Sequence, residues 1–156
     1  MLDIRMMKDD ECGEVSRLLR ACFEWLADRE GFNATQRDFL LNQRSSEQTV
    51  REEARTRPHL VACENGAILG MVVVNGNEIS RLYVHPKHHR RGVGRALFEA
   101  AVNRIREAGF TEVKLGALVD GAVAFYKAMG MSVVGHEPYE PEIFLGREVR
   151  LMSKRL

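Results

Sequence analysis

Two glycines one residue apart, Gly92 and Gly94, stand inside the run His89-Arg90-Arg91-Gly92-Val93-Gly94-Arg95-Ala96-Leu97. A short apolar run precedes them and an amphipathic one follows. That order builds a strand-to-helix turn whose backbone N–H groups point outward at a helix N-terminus, where they have no partner within the helix. Such a turn seats a phosphate or pyrophosphate. Gly92 and Gly94 let the backbone approach an anion closely, Val93 carries the turn between them, and Arg90, Arg91 and Arg95 add positive charge around it. The plain alternative is a simple strand-to-helix turn. A nucleic-acid patch over Lys87 to Arg91 would be short and isolated in a chain of net charge +1. His88 and His89 are adjacent, with no other clustered ligand, and do not make a metal site.

A chain of 156 residues suits one domain, residues 1–156, with one sizeable core. Its 45% hydrophobic content is that of an ordinary globular protein. The near-neutral balance supplies no global field toward nucleic acid or acidic membranes. Met1-Leu2-Asp3-Ile4-Arg5 places charges where a signal peptide needs an apolar run, and no apolar stretch approaches the roughly 20 residues of a membrane span. Cys12, Cys22 and Cys63 are an odd set without metal-ligand spacing. They read as buried thiols in a reducing cytoplasm, and a cytoplasmic protein is the expectation.

The elements that must position the loop follow from periodicity. Leu2, Ile4 and Met6 alternate with polar residues and predict a first strand with one buried face. Asp9 or Asp10 can cap the next helix, in which Val15, Leu18, Leu19, Cys22, Phe23 and Leu26 form a stripe. A second helical region starts near Asn33 or Thr35 and carries Phe39 and Leu40. The polar stretch from Asn42 to Arg57 leaves its helix undecided, and Pro58 marks its end. Strands follow over His59–Cys63 and Ile68–Val74, then from about Glu78 to Val84. Asn65-Gly66 and Asn75-Gly76 are hairpin signals between them. The glycine loop opens a helix from about Val93 to Ala108 that Gly109 ends as a C′ residue. Val113, Leu115 and Ala117 form a strand, making a right-handed βαβ unit with a parallel pair. A short helix from about Ala122 to Met129 and strands near Met131–Val134 and Val149–Lys154 complete a mixed α/β fold, with a mostly antiparallel sheet and one parallel pair. The last strand, read as exposed, offers a surface for a homodimer.

The run from Ile79 to Gly135 resembles the GNAT superfamily of acetyl-CoA-dependent N-acetyltransferases. The family pattern is a strand, then Arg/Gln-x-x-Gly-x-Gly/Ala, a helix, a strand, and a Phe-Tyr-x-x-x-Gly-Phe-like segment. Here it reads Leu82-Tyr83-Val84-His85-Pro86, His89-x-x-Gly92-x-Gly94 and Phe125-Tyr126-Lys127-Ala128-Met129-Gly130-Met131. The N-terminal half fits the element order only. His89 stands where Arg or Gln is usual, and Met131 replaces an aromatic residue. Val119, beside Asp120, occupies a position often held by Asn, so one pantetheine or phosphate contact is not carried over.

The resemblance implies a GNAT-like fold and transfer of an acetyl group from acetyl-CoA to a primary amine, small-molecule or peptide, by direct attack in a ternary complex without a metal. His89 to Arg95 would hold the pyrophosphate. Leu82, Tyr83 and Val84 would end a strand that splays from its neighbour and pairs its backbone with pantetheine, the logic of strand addition; Phe125 belongs to the same cofactor-contacting segment. Tyr126 would serve the leaving thiolate, since a phenol of pKa ~10 can hydrogen-bond to or protonate a thiolate whose acid has pKa ~8.5; otherwise it is a half-buried helix tyrosine. Glu78 lies near the position of a general base in some members, needed because an alkylammonium of pKa ~10 cannot attack until it loses a proton; its plain reading is a solvated strand-end carboxylate. Glu137, Glu140 and Glu142 could draw a cationic amine or simply form a solvated loop. Trp25, Glu24 and the segment Asp28–Phe32 are implied by position to shape the acceptor pocket. Cys63 is the cysteine nearest the central sheet and reads as core. The rival readings are a non-catalytic acyl-CoA sensor and a nucleotide-binding regulator using the basic loop.

Overall fold

Asn65 and Gly66 both take positive φ, at 52° and 79°, the primed turn whose twist matches paired strands. It joins β2 (His59–Glu64) to β3 (Ala67–Asn75), and a second tight turn at Gly76-Asn77 leads into β4 (Glu78–Val84). In the computed structural model, which describes residues 1–144 and 146–156, these three strands are the antiparallel centre of a seven-stranded sheet. With β1 (Asp3–Met6), β5 (Glu112–Ala117), β6 (Ser132–Pro138) and β7 (Glu148–Arg155), the spatial order is β1-β2-β3-β4-β5-β7-β6. Only β4 and β5 run parallel among the described pairs.

Helices cover both faces. α1 (Cys12–Glu30), α2 (Ala34–Asp38) and α3 (Glu47–Ala54) lie on one side, over Val61, Met71 and Val73. α4 (Val93–Glu107) and α5 (Asp120–Ala128) lie on the other, over Leu60, Val72, Ile79 and Val113. Covering on both faces explains why β3 is buried from Ile68 to Val74 without alternation. The predicted α1 stripe is buried except Leu26, which is half-buried, and Ala27 extends it.

The undecided polar stretch resolves into two pieces. Residues Phe39–Arg44 form a π-helical turn, with Ser45 N–H donating to Leu40 O at 3.1 Å, and Ser46 caps α3 by accepting from Thr49 N–H. The wider π turn carries Leu40 inward while Arg44 reaches the neighbouring Glu53.

Three expectations are corrected. Met6 is 46% exposed, because β1 is an edge strand whose end leaves the core. Asp9 and Asp10 do not cap α1; they lie in a 3-10 turn, and the Glu11 carboxylate accepts from Lys8 N–H at 2.8 Å instead. The last strand of the chain is not an edge: β7 is paired on both sides, by β5 and β6, so it offers no free strand for a dimer. Among the described residues no helix is long and apolar enough to cross a membrane.

Candidate active site

β4 and β5 touch through a single register pair, Glu78 with Lys114. Beyond it the two strands part. β5 turns to β7 for its other partner, while β4 stays on β3. The result is a wedge, closed at Glu78 and open toward Val84. His85 N–H donates back to Leu69 O on β3 at 2.8 Å. Strand alternation therefore turns the N–H and C=O of Leu82 and Val84 toward the wedge.

A bulge sets which side chains meet it. Val73 pairs with Arg81 and Val74 with Ile79, which leaves Ser80 unpaired. The extra residue resets the alternation. Ile79, Leu82 and Val84 consequently join the α4/α5 core, and Tyr83 the α1 side. Arg81 turns to that same side, toward Glu53 of α3.

The loop at the mouth of the wedge holds two left-handed residues, Arg90 at φ 63° and Gly92 at φ 82°. Gly92 is the N-cap of α4, and the first bond of that helix runs from Ala96 N–H to Gly92 O. No protein acceptor among the described residues meets the N–H groups of Arg90 to Arg95. Unaccepted amides at a helix N-terminus are the groups that an anion seat requires. Gly94 is needed for a different reason: a Cβ there would sit 3.1 Å from the Phe125 ring.

The loop arginines divide. Arg90 and Arg95 line the cavity described below. Arg91 turns away, donating to Glu64 at 3.0 Å and to His88 Nδ1 at 2.7 Å. The Val93 side chain is buried under the sheet at 3% exposure, which leaves only its N–H at the loop surface. His89 has a structural task. Its Nε2 donates to Val84 O at 3.0 Å, and its ring stands edge-on to Trp25 at 4.8 Å. Cys22 Sγ donates to the same carbonyl at 3.3 Å. Of the wedge-facing groups on β4, the Val84 carbonyl is thus already engaged by the protein.

A cavity of about 870 Å³ runs from the loop through the wedge and under α1. Leu82, Tyr83, Val84, Phe125 and Tyr126 all line it, as do His89, Gly92 and Gly94. Tyr126 is 8% exposed, held between Phe98 and Phe125. Burial pushes its phenol well above the usual tyrosine range. Glu78 is not brought to the cavity. It sits at the closed end of the wedge, paired with Asn75 and Lys114. The cavity's only lining carboxylate among the described residues is Glu30, which accepts from Arg147 at 3.1 Å.

Of the residues implied to shape an acceptor pocket, Trp25, Arg29, Glu30 and Phe32 line the α1 end of the cavity, whereas Glu24, Asp28 and Gly31 do not. Tyr139 lines it as well, but Glu137, Glu140 and Glu142 stay outside. Cys22, Arg44 and Arg81 line the cavity although sequence gave none of them a role in the site. Cys22, rather than Cys63, is the thiol in the cleft, and burial pushes it up to about 12, so it stays a thiol. Arg81 was legible as the one cation within the strand Glu78–Val84.

Residues 15–131 match the Acetyltransferase (GNAT) family. A 52-residue segment is 38% identical to a mycothiol acetyltransferase of Amycolatopsis mediterranei (strain U-32), covering 30% of this chain and 17% of that one. Over 99% of this chain and 95% of its counterpart, the fold matches a GCN5-related N-acetyltransferase from Rhodopseudomonas palustris, with TM-score 0.86 and 20% identity. A PaiA N-acetyltransferase from Thermoplasma acidophilum in complex with coenzyme A matches over 100% and 99%, with TM-score 0.83 and 18% identity. At these identities the likeness of the solved structures is one of fold.

Proposed function

The chain belongs to the GNAT acetyltransferase family, and from that premise we propose that it moves the acetyl group of acetyl-CoA to a primary amine by direct attack. The observation that carries this reading is the wedge between β4 and β5, with unaccepted loop amides at its mouth and Tyr126 on its wall.

The residues present fit the coenzyme. The amides from Arg90 to Arg95 suit a diphosphate, and Arg90 and Arg95 add charge. The N–H groups of Leu82 and Val84 and the Leu82 carbonyl suit a pantetheine amide lying as an added strand. One of those N–H groups would polarise the thioester carbonyl. Phe125 packs beside Gly94 and walls the same channel.

In the transfer, the amine nitrogen forms the C–N bond as the C–S bond breaks, and sulfur leaves with the electron pair. Tyr126 meets that sulfur with its O–H. Because burial raises the phenol, full proton transfer to a thiolate whose acid has pKa ~8.5 is uphill, so Tyr126 acts as a hydrogen-bond donor and solvent supplies the proton afterwards. The amine's proton leaves through the open cleft to water. Glu78 has no part in this scheme.

Thiol release from acetyl-CoA, measured with a panel of amines, tests the reading. Turnover with at least one amine class is the expected result. Tight coenzyme A binding with no thiol release on any amine would assign the chain as an acyl-CoA-binding module. Mass spectrometry of the protein mixed with acetyl-CoA checks direct attack. A stoichiometric acetyl-cysteine adduct would replace it with a covalent route.

A further inference from the structure

Arg81 is the most anomalous residue in the cleft. It lies in the middle of β4, its side chain is 2% exposed, and it lines the cavity. Nε approaches Glu53 Oε1 at 3.3 Å, but Nε, Nη1 and Nη2 make no hydrogen bond to any described residue. A buried charge without hydrogen-bond partners is among the costliest features a fold can carry. Folding alone would favour an apolar residue on this strand.

The surroundings are short of negative charge. Among the described residues Glu53 is the one carboxylate at hand, and its other oxygen accepts from Arg44 at 3.2 Å. Arg44 also lines the cavity, and Arg57 adds a further positive field at Arg81. His59, packed nearby, donates from Nδ1 to Arg57 O at 2.8 Å and is held neutral by burial. Tyr83 and Tyr139 are likewise kept uncharged by burial. Two guanidiniums, Arg44 and Arg81, therefore share one carboxylate, with the charge of Arg57 nearby. The neighbouring chamber wall is apolar: Phe23, Leu40 and Phe144, with Tyr139 stacked edge-on to Phe144 at 5.1 Å.

We propose that Arg81, supported by Arg44, binds the carboxylate of the acceptor, so that the substrate class is a small amine that also bears a carboxylate and an apolar body. This rests on the acetyl-transfer reading above. A guanidinium fork matches a carboxylate with two parallel hydrogen bonds. Arg81 precedes Leu82, whose N–H faces the wedge, so an acceptor held at Arg81 carries its amine to the strand that holds the thioester. The same field opposes polycationic amines, for which the cleft offers, among the described residues, only the already paired Glu30.

The test compares L-phenylalanine and L-leucine with their amides, their decarboxylated amines and spermidine. Two readouts are used: thiol release from acetyl-CoA, and titration into the coenzyme A-saturated protein. The carboxylate-bearing members should exceed their amides at least 100-fold in kcat/KM. Arg81→Met should reduce that ratio to below 10, chiefly through KM, without a matching loss on the decarboxylated amines. Arg44→Gln, at a more exposed site, should reduce the ratio in the same direction and guards against a folding defect in the Arg81 variant. Turnover that is equal for amino acid and amide, or highest for spermidine, overturns the proposal and leaves acetyl transfer standing. Arg81-dependent binding of the carboxylates without thiol release from any amine upholds the anion site and removes the transfer reading.

Discussion

Tyr126 and Glu78 were both legible as single residues, and the fold separates them. Tyr126 lines the cleft with its phenol raised by burial. Tyr126→Phe should therefore lower kcat by about 10- to 1,000-fold and leave coenzyme A affinity within about twofold, because one transition-state hydrogen bond is lost and no ground-state contact with the diphosphate is. Steady-state kinetics with parallel coenzyme titration check this, and unchanged kcat at neutral pH would remove the role. Glu78 sits where β4 and β5 still touch. Glu78→Gln should leave the acidic limb of the kcat/KM pH profile where it is in the wild type. A displaced limb would restore the carboxylate as a base. Sequence spacing placed Glu78 on the right strand but could not place it relative to the splay, since where two strands part depends on their partners, β3 and β7, and not on β4 itself.

The glycine loop is the element that sequence described best, because its requirements are local. Left-handed φ at Gly92 and the start of α4 follow from residue types within a few positions, whereas the approach at Gly94 is to the distant Phe125. What was not legible is longer in range. The Ser80 bulge decides that Arg81 faces α1 and α3 while Ile79, two residues earlier, faces α4 and α5, and it is a property of the β3–β4 register. The π turn at Phe39–Arg44, which brings Arg44 toward the cleft, has no composition signal. The turning away of Arg91 depends on Glu64, 27 positions earlier. The loop glycines make a paired prediction. A Cβ at Gly92 meets nothing within 4 Å, so Gly92→Ala should cost about 1 kcal/mol of stability through backbone strain alone, with Gly92→Asn recovering part of it. At Gly94 φ is helical and the obstacle is Phe125, so Gly94→Val should weaken coenzyme A binding at least tenfold with a smaller change in stability. Chemical denaturation and calorimetric titration separate the two effects, and identical profiles for both variants would contradict the division of labour.

Across the whole molecule the shifted groups fall into two sets with opposite pH signs. Glu11, hydrogen-bonded twice by Arg5 at 2.8 and 2.7 Å, is held down to about 2 from 4.5. Asp120 is also lowered, by Arg150, and His59 is lowered from 6.5 by burial. A group lowered in the folded state stabilises above its unfolded pKa and loses that contribution as pH falls through the folded one. Acidification should thus erode stability first below about pH 6.5 through His59, then between 4.5 and 2 through Glu11. Cys22, Tyr83 and Tyr126 are raised by burial, from 9.0 for the thiol and 10.0 for the phenols. Their contribution is present below those values and is lost as pH climbs past them. The expected curve of Tm against pH is a plateau from about 6.5 to 9 with a fall on each side, and Glu11→Gln should flatten the acid limb between 4.5 and 2. Circular dichroism melts at fixed ionic strength would read it. A maximum below pH 5, or an acid limb identical in Glu11→Gln, would mean that the Arg5–Glu11 pair does not tie β1 to the start of α1 in the way its geometry indicates.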